Sequence, residues 1–253
     1  MTATATLERA ADSPSSAPRA RIGLIIPSVN SLSEPQFNHF APPGLTVHAA
    51  RARVAGPWRR PLPQMADEIA LSAQLLADCG PDLIVFHCTE TSMIEGAAGE
   101  GKILDMIRDA TGIAALATSR LVLEALRALQ IRKVVVLSPY PNNHGVMRYL
   151  DETGFSVVHD VALGLTAREF AEVTPQRWLE LAQEHDRPDA DGIFLSCTNT
   201  TQIEAIADIE RALGKPVVNS NQAVLWGVVK SLRHKLGTLP PMPRLGRLMS
   251  KLD

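Results

Sequence analysis

The feature that most constrains the fold is a short motif that occurs twice in the chain. Residues 81–92 read PDLIVFHCTETS and residues 190–201 read ADGIFLSCTNTT, so an Asp, an Ile, a Cys and two Thr coincide without gaps. Upstream of these, RIGLIIPSVN (21–30) and RKVVVLSPYPN (132–142) are both apolar runs that end in a Pro and a polar loop with Asn. Two motifs in the same order at nearly equal separations predict an internal duplication. The alternative is that two α/β segments resemble each other by chance.

Short β-rich runs alternate with longer segments of helical spacing along the chain. We predict strands over Ile22–Ile26, Thr46–Ala50, Asp82–Phe86, Lys133–Leu137, Ser156–Asp160, Gly192–Leu195 and Pro216–Val218. We predict helices over Gln64–Ala77, Ser119–Leu129, Asn143–Glu152, Pro175–Glu184, Gln202–Leu213 and Asn221–Leu236. This alternation is typical of α/β folds with mainly parallel sheets. Together with the duplication, it predicts two similar Rossmann-like parallel-sheet halves related by a pseudo-twofold axis, with a shared cleft between them.

The predicted division of the chain follows the repeat. Residues 1–20 are rich in Ala, Ser, Thr and Pro and lack an apolar core segment, so we expect a disordered tail and not a secretory signal. We assign residues 21–117 plus 219–253 to the first α/β half and residues 118–218 to the second.

Composition excludes several classes of partner. The 253-residue chain is 45% apolar and 21% charged with a formal charge of −2, and it has no basic cluster. We therefore expect neither nucleic acid nor a membrane surface as a partner, and the apolar runs are too short to span a bilayer. Three cysteines are too few for a disulfide framework, which favours a cytoplasmic protein with reduced thiols.

The repeat predicts a reaction centre built from Cys88 and Cys197. Ligands of open α/β sheets bind at the carboxyl ends of the strands, where both cysteines lie, so both thiols are expected to approach one ligand. A helix start after each Cys would lower its thiol pKa toward neutrality, and Thr89 and Thr198 would help to hold a carboxylate. Two such thiols act as base and acid, or as nucleophile and acid, without a metal or an organic cofactor. The alternative is that each Cys is an ordinary core residue, which is our interpretation of Cys79.

Other polar residues at strand ends are weaker candidates. Asn30 follows the first strand and is either a carboxylate ligand or a turn residue. Tyr140, in the matching loop of the second half, is a candidate donor to a developing enolate or carboxylate. Asn143 is a candidate ligand or a helix cap. The segment 219–221, Asn-Ser-Asn, is best explained by helix capping.

These residues resemble the aspartate/glutamate racemase superfamily, and in particular its maleate cis-trans isomerase and arylmalonate decarboxylase branch. The resemblance covers roughly residues 21–232 and rests on PSVN (27–30), the two strand-Cys-Thr motifs, the Pro139-Tyr140 loop and PVVNSNQAVLW (216–226). It implies that Cys88 attacks a double bond as a thiolate while Cys197 supplies a proton, with Asn30 and Tyr140 binding the substrate. It also implies a homodimer or a higher homo-oligomer.

The same resemblance leaves the reaction open. Arylmalonate decarboxylases have Gly in the place of the first cysteine, so two thiols disfavour decarboxylation, whereas amino acid racemases keep both as opposed acid and base. Glu90 departs from the isomerase pattern, which tends to small or apolar residues there. An inward carboxylate would repel a dicarboxylate and attract an ammonium group instead; alternatively Glu90 faces solvent and caps the following helix. Arg168 is a candidate carboxylate clamp in place of a family Asn.

We therefore expect a cofactor-independent isomerase of a small carboxylate, with maleate-like cis-trans isomerisation through a covalent cysteine adduct as the specific prediction. An aspartate, glutamate or hydantoin-type racemase and an arylmalonate-type decarboxylase are the enzymatic alternatives. A carboxylate-binding or redox-sensing protein is the non-enzymatic one.

Overall fold

A computed structural model describes residues 18–252, which form two four-stranded parallel sheets. The strands are β1 (Ala20–Pro27), β2 (Leu45–Ala52), β3 (Leu83–Phe86), β4 (Ala115–Ala117), β5 (Lys133–Ser138), β6 (Ser156–Ala162), β7 (Gly192–Leu195) and β8 (Val217–Asn219). The order is β2-β1-β3-β4 in one sheet and β6-β5-β7-β8 in the other, so the two sheets have the same topology. The predicted fold class, two similar parallel-sheet α/β halves, is confirmed.

Helices cover the sheets. They are α1 (Ser33–Phe40), α2 (Leu62–Ala77), α3 (Thr89–Ile94), α4 (Gly96–Thr111), α5 (Thr118–Ala128), α6 (His144–Glu152), α7 (Pro175–His185), α8 (Gln202–Leu213), α9 (Ser220–Ser231) and α10 (Arg233–Leu236). Strands β3 and β7 are buried along their whole length, as apolar runs between two helical layers require. Within residues 18–252, no helix combines the length and the apolar character needed to cross a bilayer.

Some elements differ from the predicted ones. Strand β4, which has only three residues, and helices α1 and α4 were not predicted, whereas α3 is the helix that was expected to start after Cys88. The predicted helix over Asn221–Leu236 is divided, because α9 ends at Ser231 and α10 begins at Arg233. Most of the predicted disordered tail, residues 1–17, lies outside the described residues, while Ala20 already belongs to β1.

A repeated aspartate ties the cysteine-bearing strand to the central strand of each sheet. Asp82 precedes β3, and its Oδ2 accepts a hydrogen bond from the backbone N–H of Arg21 at 3.0 Å. Asp191 precedes β7, and its Oδ2 accepts from the backbone N–H groups of Arg132 and Lys133 at 2.9 and 2.8 Å. The repeat therefore extends from sequence to individual hydrogen bonds, and it sets β3 and β7 in the same place in their sheets.

A buried carboxylate joins α4 to α5 and α6. Glu100 is 2% exposed and accepts hydrogen bonds from the Ser119 hydroxyl, from Arg120 Nε at 3.1 Å and from the Tyr149 hydroxyl at 2.8 Å. A buried charge is tolerated only when it is paired and hydrogen-bonded, and these partners meet that condition. The network therefore holds α4 against α5 and α6.

Candidate active site

A cavity of about 660 Å³ opens at the carboxyl ends of β1, β3, β5 and β7. Loops from both sheets form its wall, as expected for ligand sites in parallel α/β folds. Most residues predicted from the sequence line it, namely Asn30, Cys88, Thr89, Glu90, Tyr140, Arg168, Cys197 and Thr198. The two cysteines of the repeat therefore border one common space.

Asn143 is the predicted ligand that the structure places elsewhere. Its Nδ2 donates to Asp160 Oδ2 at 3.0 Å, and its Oδ1 accepts from the Ser138 hydroxyl at 2.5 Å. It is not part of the cavity wall, and its side chain does not cap α6. The expectation that Asn143 binds a ligand is corrected to a structural role between β5 and β6.

Cys88 lies between β3 and α3 in an ordinary extended conformation, with a φ of −144°. It is 3% exposed, and burial raises the pKa of its thiol to about 11. Hydrogen bonds from Thr91 and the positive charge of Arg59 lower that pKa but do not offset burial. The expected shift toward neutrality is therefore not found, because the loss of hydration on burial outweighs these favourable interactions.

Cys197 has a different backbone. Its φ is 150°, a value that side chains with a Cβ rarely adopt. Residues 198–201 separate it from α8, so no helix begins directly beside its thiol. Its Sγ accepts a hydrogen bond from the backbone N–H of Asn199 at 3.3 Å, yet burial raises its pKa to about 12. Strain of this kind occurs at functional sites, and here it sets the direction of the thiol.

Ser220, the first residue of α9, connects the two cysteine motifs. Its hydroxyl oxygen accepts hydrogen bonds from the Thr89 hydroxyl at 2.8 Å and from the backbone N–H of Cys197 at 3.2 Å. The preceding Asn219 caps α9 through a capping box, as the sequence predicted for this segment. The sequence also assigned Ser220 to capping, whereas the structure shows it bridging the two sides of the cleft.

Asn30 lines the cavity, but its amide is already engaged. Its Nδ2 donates to Ser33 Oγ at 2.9 Å and to Thr198 O and Oγ1 at 3.2 and 3.1 Å. Its Oδ1 accepts from the backbone N–H groups of Leu32 and Ser33. Asn30 therefore holds the loop after β1 against the loop after β7, and in this way shapes the cavity floor.

Tyr140 is 2% exposed and lies beside the thiols. Burial, followed by the charges of Cys197, Glu90 and Cys88, raises the pKa of its hydroxyl well above the ordinary value. The Tyr140 hydroxyl also lowers the pKa of Cys197 through a hydrogen bond, while the Phe170 ring packs edge-on against Tyr140 at 5.7 Å. A neutral phenol in this place is a hydrogen-bond donor to negative charge that develops in the cleft.

Three charged side chains border the same cavity. Glu90 is half-buried and lines the cavity, and Arg168 is exposed in the loop after β6, which also lines it. Arg59 was not predicted; it follows the turn Gly56–Trp58, and its NH2 donates to Glu95 Oε1 at 2.6 Å. No sequence motif marks Arg59, although its loop between β2 and α2 has a topological counterpart in the loop between β6 and α7 that carries Arg168.

Comparisons with known proteins agree with this geometry. The sequence matches the family model described as arylmalonate decarboxylase over residues 22–241. A maleate isomerase from Geobacillus stearothermophilus is 25% identical over 247 residues, which cover 91% of this chain and 97% of that protein. An arylmalonate decarboxylase from Bordetella bronchiseptica is 32% identical over 184 residues, which cover 71% of this chain and 75% of that protein.

A solved structure shares the fold along nearly the whole chain. It is a cysteine-to-serine mutant of the maleate cis-trans isomerase from Nocardia farcinica, with a covalently bound succinylcysteine intermediate. Its TM-score is 0.80 at 23% identity, with 91% of this chain and 98% of that chain covered. The similarity thus extends through both sheets and the loops between them.

Proposed function

This chain belongs to the arylmalonate decarboxylase family, and on that basis we propose that it is a cofactor-independent cis-trans isomerase of a small carboxylate of the maleate type. The observation that supports this activity is the position of two thiols, Cys88 and Cys197, in the wall of one cavity. The maleate isomerase of Geobacillus stearothermophilus is similar over almost its full length, and the Nocardia farcinica enzyme forms a succinylcysteine adduct. Both agree with thiol chemistry in this cleft.

We assign the role of nucleophile to Cys88, because helix α3 begins directly after it, whereas no helix begins directly beside Cys197. Arg59 lines the same cavity, and its positive charge offsets part of the rise that burial causes in the pKa of the Cys88 thiol. The Cys88 sulfur forms a bond to one carbon of the double bond, and the π electron pair moves to the neighbouring carbon as an enolate. The Cys197 S–H then donates a proton to that carbon.

The second half of the reaction reverses these steps after rotation. The former double bond is now single, so the adduct rotates about it. The Cys197 thiolate removes the proton again, the electron pair re-forms the double bond, and the bond to Cys88 sulfur breaks to release the trans product. The thiolate consumed at the start is returned at the end. Tyr140 and the N–H of Asn199 stabilise the negative charge that appears at Cys197.

Proton NMR in deuterated water tests the proposal with maleate, aspartate, glutamate and an arylmalonate as substrates. We expect conversion of the cis acid to the trans acid, with loss of turnover in both Cys88→Ser and Cys197→Ser and unchanged far-UV circular dichroism. The Cys79→Ser variant is the matched control, because Cys79 is exposed and outside the cavity. Exchange of an α-hydrogen without isomerisation would instead establish a racemase.

Decarboxylation is the second candidate. The relative from Bordetella bronchiseptica is 32% identical and is an arylmalonate decarboxylase, and the cavity wall contains the apolar side chains of Trp58, Leu165 and Phe170. Loss of carbon dioxide from the arylmalonate, with no conversion of maleate, would favour it. A homodimer or higher homo-oligomer and a cytoplasmic location stay predictions, which sedimentation and cell fractionation test.

A further inference from the structure

Glu90 is a carboxylate without a protein partner in the cavity wall. It lies two residues after Cys88 and is half-buried, and no hydrogen bond or ion pair of its carboxylate is found within residues 18–252. Its charge raises the pKa of Cys88, Cys197 and Tyr140, which places it near all three groups of the reaction centre. A half-buried acceptor in this position requires a hydrogen-bond donor when a ligand displaces the water around it.

Arg59 provides the complementary donor. Its side chain is 28% exposed and lines the same cavity, and among the described residues its one side-chain hydrogen bond is that of NH2 to Glu95. Its Nε is buried without a partner, so the guanidinium has unused hydrogen-bonding capacity. Burial raises the pKa of Glu90 and the positive charge of Arg59 offsets part of that rise, yet the two side chains do not form an ion pair within 4 Å. A positively charged donor and a negatively charged acceptor thus border the same cavity without forming an ion pair with each other.

The chemistry of this pair discriminates among the groups that a substrate could place between them. A carboxylate is attracted to Arg59 and repelled by Glu90, whereas an ammonium group is attracted to Glu90 and repelled by Arg59. A primary carboxamide donates its N–H to Glu90, accepts from Arg59 at its oxygen, and brings no charge into the cleft. The amide is the group that satisfies both side chains at once.

We propose that this cleft selects a cis-unsaturated acid with one carboxylate and one carboxamide, the monoamide of maleate, over the dicarboxylate itself. Glu90 and Arg59 are the residues that determine this specificity. The inference rests on the proposed isomerase function for its reaction, while the charge preference of the cleft is a separate property. It assigns a role to the residue that departs from the isomerase sequence pattern.

Binding and turnover are measured separately. Calorimetric titration compares succinate with its monoamide, succinamate, neither of which has a double bond to attack. We expect the monoamide to bind at least about tenfold more tightly, the fold-change that one charge-assisted hydrogen bond gained instead of a repulsion typically produces. In Glu90→Gln, whose amide both donates and accepts, the preference shrinks to within about threefold through tighter succinate binding.

Two further variants complete the design. Glu204→Gln makes the same change in the first turn of α8, at an exposed residue outside the cavity, and leaves the preference unchanged. Arg59→Gln removes the donor charge and weakens succinate binding further, so a misfolded Glu90 variant does not prevent the test. Circular dichroism verifies the fold of each variant.

Turnover distinguishes the two proposals. Proton NMR then measures conversion of maleate and of its monoamide by the wild-type protein, and faster conversion of the monoamide supports both proposals. Equal or tighter binding of succinate, unaffected by Glu90→Gln, overturns the specificity inference even when maleate is isomerised. Preferential binding of succinamate without conversion of either unsaturated acid overturns the isomerase function and leaves the charge preference established.

Discussion

The unusual backbone of Cys197 predicts an inverted order of stability for two substitutions. Cys197 has a φ of 150°, whereas Cys88, its counterpart in the repeat, has a φ of −144°. The perturbation is replacement of each cysteine by Ala and, separately, by Gly. Both replacements remove the thiol, so a difference between them reports the backbone and the Cβ alone.

The expected magnitudes have opposite signs at the two positions. A residue with a Cβ held in a sparsely populated φ region costs about 1–3 kcal/mol, which glycine relieves at position 197. Glycine at an ordinary position is about 0.5–1 kcal/mol less stable than alanine, because the unfolded chain gains freedom. We therefore expect the free energy of unfolding of Cys197→Gly to be higher than that of Cys197→Ala by up to about 2 kcal/mol. At position 88 we expect the opposite order, with a free energy of unfolding about 0.5–1 kcal/mol lower for Cys88→Gly than for Cys88→Ala.

Urea unfolding followed by circular dichroism measures all four variants under one set of conditions. The pair at Cys88 is the internal control, since it has the same flanking Thr and an unstrained backbone. If Cys197→Gly is less stable than Cys197→Ala, the strain assigned to this position does not exist and the argument for a directed thiol fails.

Three other predictions follow from contacts described above. Burial raises the pKa of Cys88 to about 11 and of Cys197 to about 12, so the reactive thiolates form only as the pH rises. The rate of alkylation by iodoacetamide, measured by peptide mass spectrometry, should rise about tenfold per pH unit toward these values, and Cys88 should react faster than Cys197. Rapid alkylation of both cysteines at neutral pH would contradict this. Ser220→Ala removes the acceptor of the buried Cys197 N–H and should lower the free energy of unfolding in urea by about 1–3 kcal/mol, and a loss under about 0.5 kcal/mol would refute the bridge. Gly192→Ala would place a Cβ 2.6 Å from the backbone oxygen of Pro216, so we expect a loss of about 1–3 kcal/mol in the same assay, and unchanged stability would exclude the close approach.

Periodic and repeated features made the fold predictable. The duplicated Asp and Cys-Thr positions identified two equivalent strands, and their hydrogen bonds to Arg21 and Arg132 are equivalent in the structure. The strand Ala115–Ala117 was missed because Ala-Leu-Ala has neither the length nor the β-branched residues that mark a strand. Helix α4 was missed because Gly96, Gly99 and Gly101 resemble a loop, although its later apolar residues pack in the core.

The site was predictable only where the sequence repeats. Cys88 and Cys197 were found by comparing the two halves, but the direction of Glu90 depends on burial that no local pattern encodes. Arg59 reaches the cavity from a loop that carries no recognisable motif, and Asn143 lies outside the cavity because its amide is bonded to Asp160 and Ser138. The thiol pKa values were expected to fall and instead rise, since the loss of hydration is a property of the whole cleft.

A duplicated chain inherits two copies of the same cysteine, but in the proposed reaction one of them acts as the nucleophile and the other as the proton donor. Here the two cysteines differ in the backbone φ of Cys197 and in the hydrogen bond that its N–H donates to the Ser220 hydroxyl. Evolution of such a protein toward a new reaction therefore need not alter either sulfur. A change in the backbone around Cys197 would redirect its thiol while both sulfur atoms stay in the chain.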